Sequence, residues 1–220
     1  MSDALIRRIC LVTADFEIYL KLSDSWEHDP NHIAAITRLG KLGGPARVAT
    51  VASDTAYLTH LAATLKGWHA FGRPRGFKHP TPEVLGSAVS QVAPALSALA
   101  SSSLDDPNLK LSRVSPALWS LISQLTDLLN PGAPPWVGAS KVLHHLLPDL
   151  MPPIDRVGTG WFFGWSDRDW TAAAAFKTFE EAFPVFHDVP VVANVRQYVS
   201  GTGWRTSVGK VVDDAILAMR

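Results

Sequence analysis

The sequence has little of three features that mark large classes of protein. Its 220 residues include one cysteine, Cys10, which excludes disulfide-stapled scaffolds and zinc sites built from several cysteines. No apolar run approaches the ~20 residues that cross a bilayer. The start, Met1-Ser2-Asp3, lacks the basic and apolar regions of a signal peptide. We therefore expect a cytoplasmic protein with no membrane partner, and nothing in the sequence indicates a cofactor.

The chain also lacks an excess of charge of either sign. Twenty basic residues balance twenty acidic ones, which argues against a protein that coats nucleic acid through many phosphate contacts. A local basic patch is nevertheless present, because Thr55 to Pro82 contains no acidic residue. Basic groups interleaved with aromatics are typical of nucleic-acid surfaces, although a solvated loop with its aromatics in the core has the same composition. The candidate contacts are Lys66, Trp68, Arg73, Arg75 and Lys78.

Apolar spacing and capping residues predict a mainly α fold, a compact multi-helix domain. Asp29-Pro30, Thr81-Pro82 and Ser115-Pro116 are predicted to begin helices, and Thr206 or Ser207 is predicted to cap the last one. Only Val189 to Val195 fits a strand as well as a helix. The small polar residues 100–108 form the best linker candidate. The chain is then a single domain, 1–220, with an open possibility of two helical lobes, 1–99 and 109–220, around a cleft.

Polar chemistry is concentrated between Lys141 and Asp155. A short predicted helix carries Ser140 and Lys141 in its first turn, where the helix dipole disfavours a cation and favours a neutral, nucleophilic amine. Asp155 is placed to cap the next helix, where backbone N–H groups favour a carboxylate. The segment therefore predicts an amine and a carboxylate in one cleft. Three plainer roles stay open: a surface lysine, a buried ion pair of Lys141 with Asp155 or Asp213, and a simple cap.

Two other pairs of titratable residues are candidates for chemistry. His144 and His145 are adjacent on the predicted helix, so their side chains diverge by about 100° and do not readily share one metal ion. We therefore expect no metal site. Lys210 and Asp213 are three residues apart and share a helix face, where the simplest expectation is a surface ion pair that contributes little to stability.

The motif Gly138-Ala-Ser-Lys141, a helix, and then Pro153-Ile154-Asp155 resembles the helix–hairpin–helix DNA glycosylases. In that family a glycine-rich hairpin precedes the lysine helix, and here the hairpin position reads Ala133-Pro-Pro-Trp-Val-Gly138. The resemblance implies that Lys141 attacks a sugar carbon and forms a Schiff base. It also implies that Asp155 stabilises the cationic transition state.

A second resemblance extends over more of the chain. The stretch Val137–Arg156 and a C-terminal Thr206-Ser207 with Lys210 and Asp213 are similar to an uncharacterised prokaryotic family. Its members read Ser-Lys-Val, His-Leu-Leu-Pro and Pro-Pro-Ile-Asp-Arg, followed by Thr-Ser and Lys. This resemblance implies no activity, but it marks residues expected to support the site: Ser140, His144, Arg156, Thr206, Ser207, Lys210 and Asp213.

Two function classes follow from these observations. The first is a nucleic-acid enzyme of DNA glycosylase/lyase type, with DNA as partner, Lys141 as nucleophile and Asp155 as electrostatic stabiliser. The second is a non-catalytic helical binding or regulatory module in which the same segment is a scaffold. A Schiff-base enzyme for a small carbonyl compound is a third possibility. The basic patch favours the first class, and the neutral net charge favours the second.

Overall fold

The computed structural model confirms the mainly α fold, and it describes residues 1–71, 79–131, 136–200 and 203–220. Within these ranges the chain forms eleven α-helices and three short 3-10 helices, and no strand. The α-helices are α1 Asp3–Ala14, α2 Phe16–Ser23, α3 Pro30–Lys41, α4 Val48–Val51, α5 Thr55–Gly67, α6 Pro82–Leu99, α7 Leu111–Leu129, α8 Val137–Leu146, α9 Gly158–Phe163, α10 Ala172–Val192 and α11 Val208–Ala218. The 3-10 helices are Pro45–Arg47, Asp167–Trp170 and Val195–Tyr198.

Local capping chemistry places several helix starts where the sequence predicts them. The side chain of Asp29 accepts a hydrogen bond from the backbone of Asn31, with Pro30 at the first position of α3. Thr81 caps α6 in the same manner. Ser207 caps α11 by accepting from the Lys210 backbone N–H at 3.3 Å. Each of these side chains satisfies an N–H that the helix itself leaves unpaired.

One predicted boundary is wrong, and one open alternative is resolved. Helix α7 begins at Leu111 rather than at Ser115-Pro116, because Val114 is buried in the core and the helix extends upstream to reach it. The β-branched run from Val189 lies at the end of α10, and a 3-10 helix follows it. Val189 is fully buried there, so packing overrides strand propensity.

One core cluster contains buried residues from both halves of the chain. The segment 100–108 packs against the C-terminal half, since the backbone N–H of Leu104 donates to the carbonyl of Asp149 at 2.9 Å and Leu104 is fully buried. Helix α3 packs on α5, and α11 packs on α2 and α9. These contacts bring α3, α8 and α11 around one pocket. Within the described ranges, no helix is long and apolar enough to cross a membrane.

Gly209 allows α11 to approach the turn that follows α8. A Cβ at this position would lie 2.6 Å from the carbonyl oxygen of Pro148 and 2.8 Å from that of Met151. We expect Gly209→Ala to lower the free energy of unfolding by about 1–3 kcal/mol, since backbone on both sides must shift. Gly40 is the matched control, because a Cβ there meets nothing within 4 Å.

Gly40→Ala, on the exposed side of α3, is expected to raise the free energy of unfolding by about 0.5–1 kcal/mol by restricting the unfolded chain. Urea unfolding of both variants measures the two effects. Equal stabilities for the two variants would contradict the close packing of α11.

Candidate active site

A pocket of about 380 Å³ lies where α3, α5, α8 and α11 converge. The loop before α3 and the segment leading into α9 complete its wall. Its volume suits a single small ring or sugar. The lining residues are Trp26, Glu27, His28, Asp29, His32, Trp68, Lys141, Pro153, Asp155, Val157, Lys210, Asp213, Asp214 and Leu217.

Lys141 contributes a buried amine to this pocket, and only 8% of the residue is exposed. Its Nζ donates to the carbonyl oxygen of Trp68 at 3.1 Å and lies 5.7 Å from the centre of that indole ring. Burial lowers the pKa of the amine, and attraction to Asp155 and Asp213 only partly opposes this. Within the described ranges Lys141 forms no ion pair. The surface-lysine and ion-pair interpretations of Lys141 are therefore wrong.

The cause of the lowered pKa differs from the one that the sequence suggested. Lys141 is the fifth residue of α8, which begins at Val137, so it lies beyond the first turn, where the helix dipole is strongest. Desolvation is instead the main cause, with a smaller contribution from repulsion by Lys210.

Asp155 lies on the same pocket and caps α9. Its Oδ1 accepts from the backbone N–H groups of Val157 and Gly158, at 2.7 Å each. Ser140 fixes the approach to Asp155, because its hydroxyl accepts from the Ile154 N–H at 3.2 Å. Lys141 and Asp155 thus line one pocket from two consecutive segments, and the hydrogen bond between Ser140 and Ile154 joins these segments.

A second charged group enters the pocket from α11. Lys210 Nζ lies 3.2 Å from Asp213 Oδ2 and also pairs with Asp214 Oδ1. The surface ion pair predicted for Lys210 and Asp213 is wrong, because all three residues are at most 8% exposed. Burial raises the pKa of Asp213 to about 7, against the lowering effect of Lys210. Burial alone would lower the pKa of Lys210, but attraction to Asp214 and Asp213 raises it above its usual value.

Both lysines approach the face of Trp68, which the sequence assigned to a nucleic-acid surface. Lys210 Nζ lies 5.8 Å from the centre of the ring, close to the 5.7 Å of Lys141 Nζ. The indole is half-buried and forms part of the pocket wall. A cation over an indole face is stabilised by the ring's quadrupole, so the Trp68 ring adds a favourable contact to each amine in its charged form.

Three buried histidines, one on α3 and two on α8, pack next to the pocket. His32 Nδ1 lies 3.1 Å from His145 Nε2, and His145 Nδ1 lies 2.7 Å from the carbonyl oxygen of Lys141. His144 Nδ1 contacts the Met151 carbonyl at 2.8 Å. Burial lowers the pKa of His32 and His144 far below the ordinary value and that of His145 to about 4. These neutral rings pack α8 against α3, and only His32 lines the pocket.

The remaining predicted site residues lie apart from this pocket. Arg156 is exposed, with its guanidinium 5.7 Å from the centre of the Trp170 ring. Thr206 contacts His32 Nε2 at 3.2 Å, and Ser207 serves as the cap of α11. Lys66 is exposed on α5. Arg73, Arg75 and Lys78 fall outside the described residues.

Sequence reasoning missed the residues that close the pocket from the α2–α3 side. Asp29 was predicted only to begin a helix, and His28 and His32 were not predicted as site residues. The α11 carboxylate of Asp214 was not identified as a candidate. The signal present in the sequence was the pair of adjacent acids, Asp213 and Asp214, three and four residues after Lys210. No pattern places the α2–α3 loop opposite α11, because that pairing is tertiary.

Within the described residues, no group of three or more His, Cys, Asp or Glu side chains is arranged to hold a metal ion. Comparison with family models, with curated proteins and with solved structures finds no match to this chain. Function therefore has to be argued from the pocket itself.

Proposed function

We propose that this protein is a lyase of the DNA glycosylase type, in which the Lys141 amine attacks the sugar carbon of a damaged or abasic nucleotide. One observation carries the proposal: a desolvated amine without an ion-pair partner among the described residues lies in a pocket with the carboxylate of Asp155. Ammonium groups are poor nucleophiles, and a lowered pKa increases the neutral fraction at physiological pH. The helix–hairpin–helix resemblance independently assigns the same two residues.

The reaction begins on the aldehyde of a ring-opened abasic sugar. The Nζ lone pair of Lys141 forms a bond to C1′, the carbonyl oxygen takes up protons and leaves as water, and an iminium ion remains. This cation makes the C2′ proton acidic. Loss of that proton and of the 3′ phosphate breaks the strand, and water then releases the amine. No oxidant or reductant is required.

Asp155 stabilises the cationic carbon in this scheme. Two backbone N–H groups hold Oδ1, so the carboxylate is oriented before substrate enters and little reorganisation is needed. The pocket lining has five acidic residues and two lysines, so a cationic intermediate is favoured inside it. Phosphate groups are disfavoured there and would remain outside.

The proposed DNA partner would contact the acid-free stretch between Thr55 and Pro82. Lys66 is exposed two residues before Trp68, which lines the pocket, so a phosphate bound by Lys66 would lie near the rim of the pocket. Arg73, Arg75 and Lys78 are the further contacts proposed from the sequence. The proposal includes a cytoplasmic location, since a DNA substrate and a single exposed Cys10 suit a reducing compartment.

Borohydride trapping tests the proposal. We expect the wild-type protein, mixed with an oligonucleotide bearing one abasic site and then reduced, to form a covalent protein–DNA adduct. The iminium takes up hydride and becomes a stable secondary amine. An undamaged oligonucleotide is the control, and a small aldehyde without phosphate is a second arm.

Trapping by the small aldehyde but not by abasic DNA would replace the DNA substrate with a small carbonyl compound. Absence of any adduct across pH 6 to 9 would contradict the imine chemistry. It would leave the segment from Lys141 to Asp155 as a scaffold in a binding module.

A further inference from the structure

We infer that Asp213 is a further catalytic residue, the group that takes the proton from the Lys141 ammonium and returns it to the departing oxygen of the substrate. The inference rests on the proposed function and extends it to proton transfer. Asp213 lines the same pocket as Lys141, from the opposite helix α11. The two groups attract each other electrostatically.

The two oxygens of Asp213 have different surroundings. Oδ2 is anchored by Lys210 at 3.2 Å. Oδ1 accepts no hydrogen bond from the described residues, and it is not among the sealed, unpaired polar atoms. One oxygen is therefore fixed, while the other is neither hydrogen-bonded within the described residues nor sealed, on a residue that lines the pocket. A group that exchanges protons with a ligand requires such an oxygen.

The neighbouring carboxylate of Asp214 differs in one respect that matters for this role. Its Oδ1 also pairs with Lys210, but its Oδ2 is sealed from solvent and has no partner within the described part of the chain. A proton there cannot reach a substrate without rearrangement of α11. Asp214 thus serves as a counterion to Lys210, and of the two α11 acids Asp213 is the one with an unsealed oxygen for proton exchange.

The proton steps balance without a further reactant. Lys141 and Asp213 are not in ion-pair contact, so the ammonium first gives a proton to Asp213 Oδ1 through one water molecule. The neutral amine then attacks the carbonyl carbon. Asp213 passes that proton to the carbonyl oxygen, takes a second proton from nitrogen, and delivers it to the hydroxyl as the C–O bond breaks. Iminium and water are formed, and Asp213 is again a carboxylate.

This scheme predicts the pH dependence of iminium formation. Burial raises the pKa of Asp213 to about 7, so below that pH the acid is already protonated and cannot accept a proton from Lys141. The rate should rise with pH through about 7 and level off above it. Burial lowers the pKa of His28 and of His32, so these rings titrate at lower pH.

The groups facing Asp213 are Lys210 and Asp214 on α11, Asp155 before α9, Lys141 on α8, and Glu27, His28, Asp29 and His32 across the pocket.

The test compares Asp213→Asn with Asp214→Asn in single-turnover trapping on the abasic oligonucleotide. Each variant leaves Lys210 paired with one carboxylate, so both keep a balanced buried pair and should fold. We expect Asp213→Asn to slow iminium formation roughly 10²–10⁴-fold and to lose the change in slope near pH 7. Asp214→Asn should keep a change in slope, moved to lower pH because Asp214 no longer raises the pKa of Asp213, and should lose less than about tenfold in rate. Thermal unfolding of both variants verifies folding.

Equal rates and identical pH profiles for wild type and Asp213→Asn would overturn the role of Asp213 while leaving imine chemistry in place. Equal losses in both variants would also overturn it, since only the charge of the Lys210 cluster would then matter. Failure of the proposed function looks different, because the wild-type protein itself would form no adduct.

Discussion

We expect Lys141→Met to abolish the borohydride adduct with abasic DNA and to leave the protein folded. Methionine fills nearly the same volume as the lysine stem, so the contacts of α8 in the core are retained. The amine is the only group removed. Because burial already disfavours its charged form, its loss should not lower the midpoint of thermal unfolding and is expected to raise it slightly.

Lys177→Met is the matched control for this variant. Lys177 lies on α10 with its side chain 80% exposed, outside the pocket and outside the proposed DNA contacts, and its loss should leave the adduct intact. Trapping by Lys141→Met at the wild-type rate would show that another amine reacts. It would remove Lys141 from the mechanism.

The second large effect is on stability, and it concerns Lys210→Met. Lys210 is the ion-pair partner of both Asp213 and Asp214, and its removal leaves two adjacent carboxyl groups buried without a cation. Breaking a buried ion pair in this way costs about 3–5 kcal/mol in the free energy of unfolding. We expect a loss of this size in urea unfolding near neutral pH.

The loss should shrink as the pH falls. The pKa of Asp213 is raised in the folded protein, so the protonated carboxyl is compatible with folding and the buried carboxylate opposes it. Stability is therefore lost as the pH rises through the folded-state pKa of about 7. Without Lys210 that pKa moves higher still. Relative to wild type, the stability of Lys210→Met should therefore recover as the pH falls from above the raised pKa of the variant to about 7. A constant deficit across this range would contradict the buried carboxyl pair.

Lys21→Met provides the control for charge removal as such. Lys21 pairs with Glu17 at 2.7 Å, but both side chains are more than half exposed. Solvent and side-chain entropy cancel most of the benefit of such a pair. We expect no measurable change in the unfolding midpoint, which makes burial, and not ion-pair formation, the reason for the large effect at Lys210.

Helix starts could be predicted from the sequence because their cause is local. Asp29, Thr81 and Ser207 cap helices through side-chain contacts two or three residues away, and such spacing is visible in a sequence. The start of α7 and the helical state of Val189 could not be predicted in this way. Both depend on burial against distant residues, which decides between local alternatives of similar energy.

The site could be predicted only in part, for the same reason. Lys141 and Asp155 stand out because one short segment carries both. The i and i+3 spacing of Lys210 and Asp213 showed that they share a helix face, but whether that face is buried depends on how α11 packs on α2 and α9. The sequence left open whether Trp68 lies on a nucleic-acid surface or in the core, and its ring forms a wall of the pocket.

The most direct test of this account is to locate the covalent bond. The wild-type protein is trapped on abasic DNA with borohydride, digested with nuclease and protease, and analysed by peptide mass spectrometry. We predict that the residual sugar lies on Lys141, in the peptide that carries Ser140 and His144. A label on the Met1 amine, on Lys66 or on Lys210, with unmodified Lys141, would contradict the claim that the buried amine of α8 is the nucleophile.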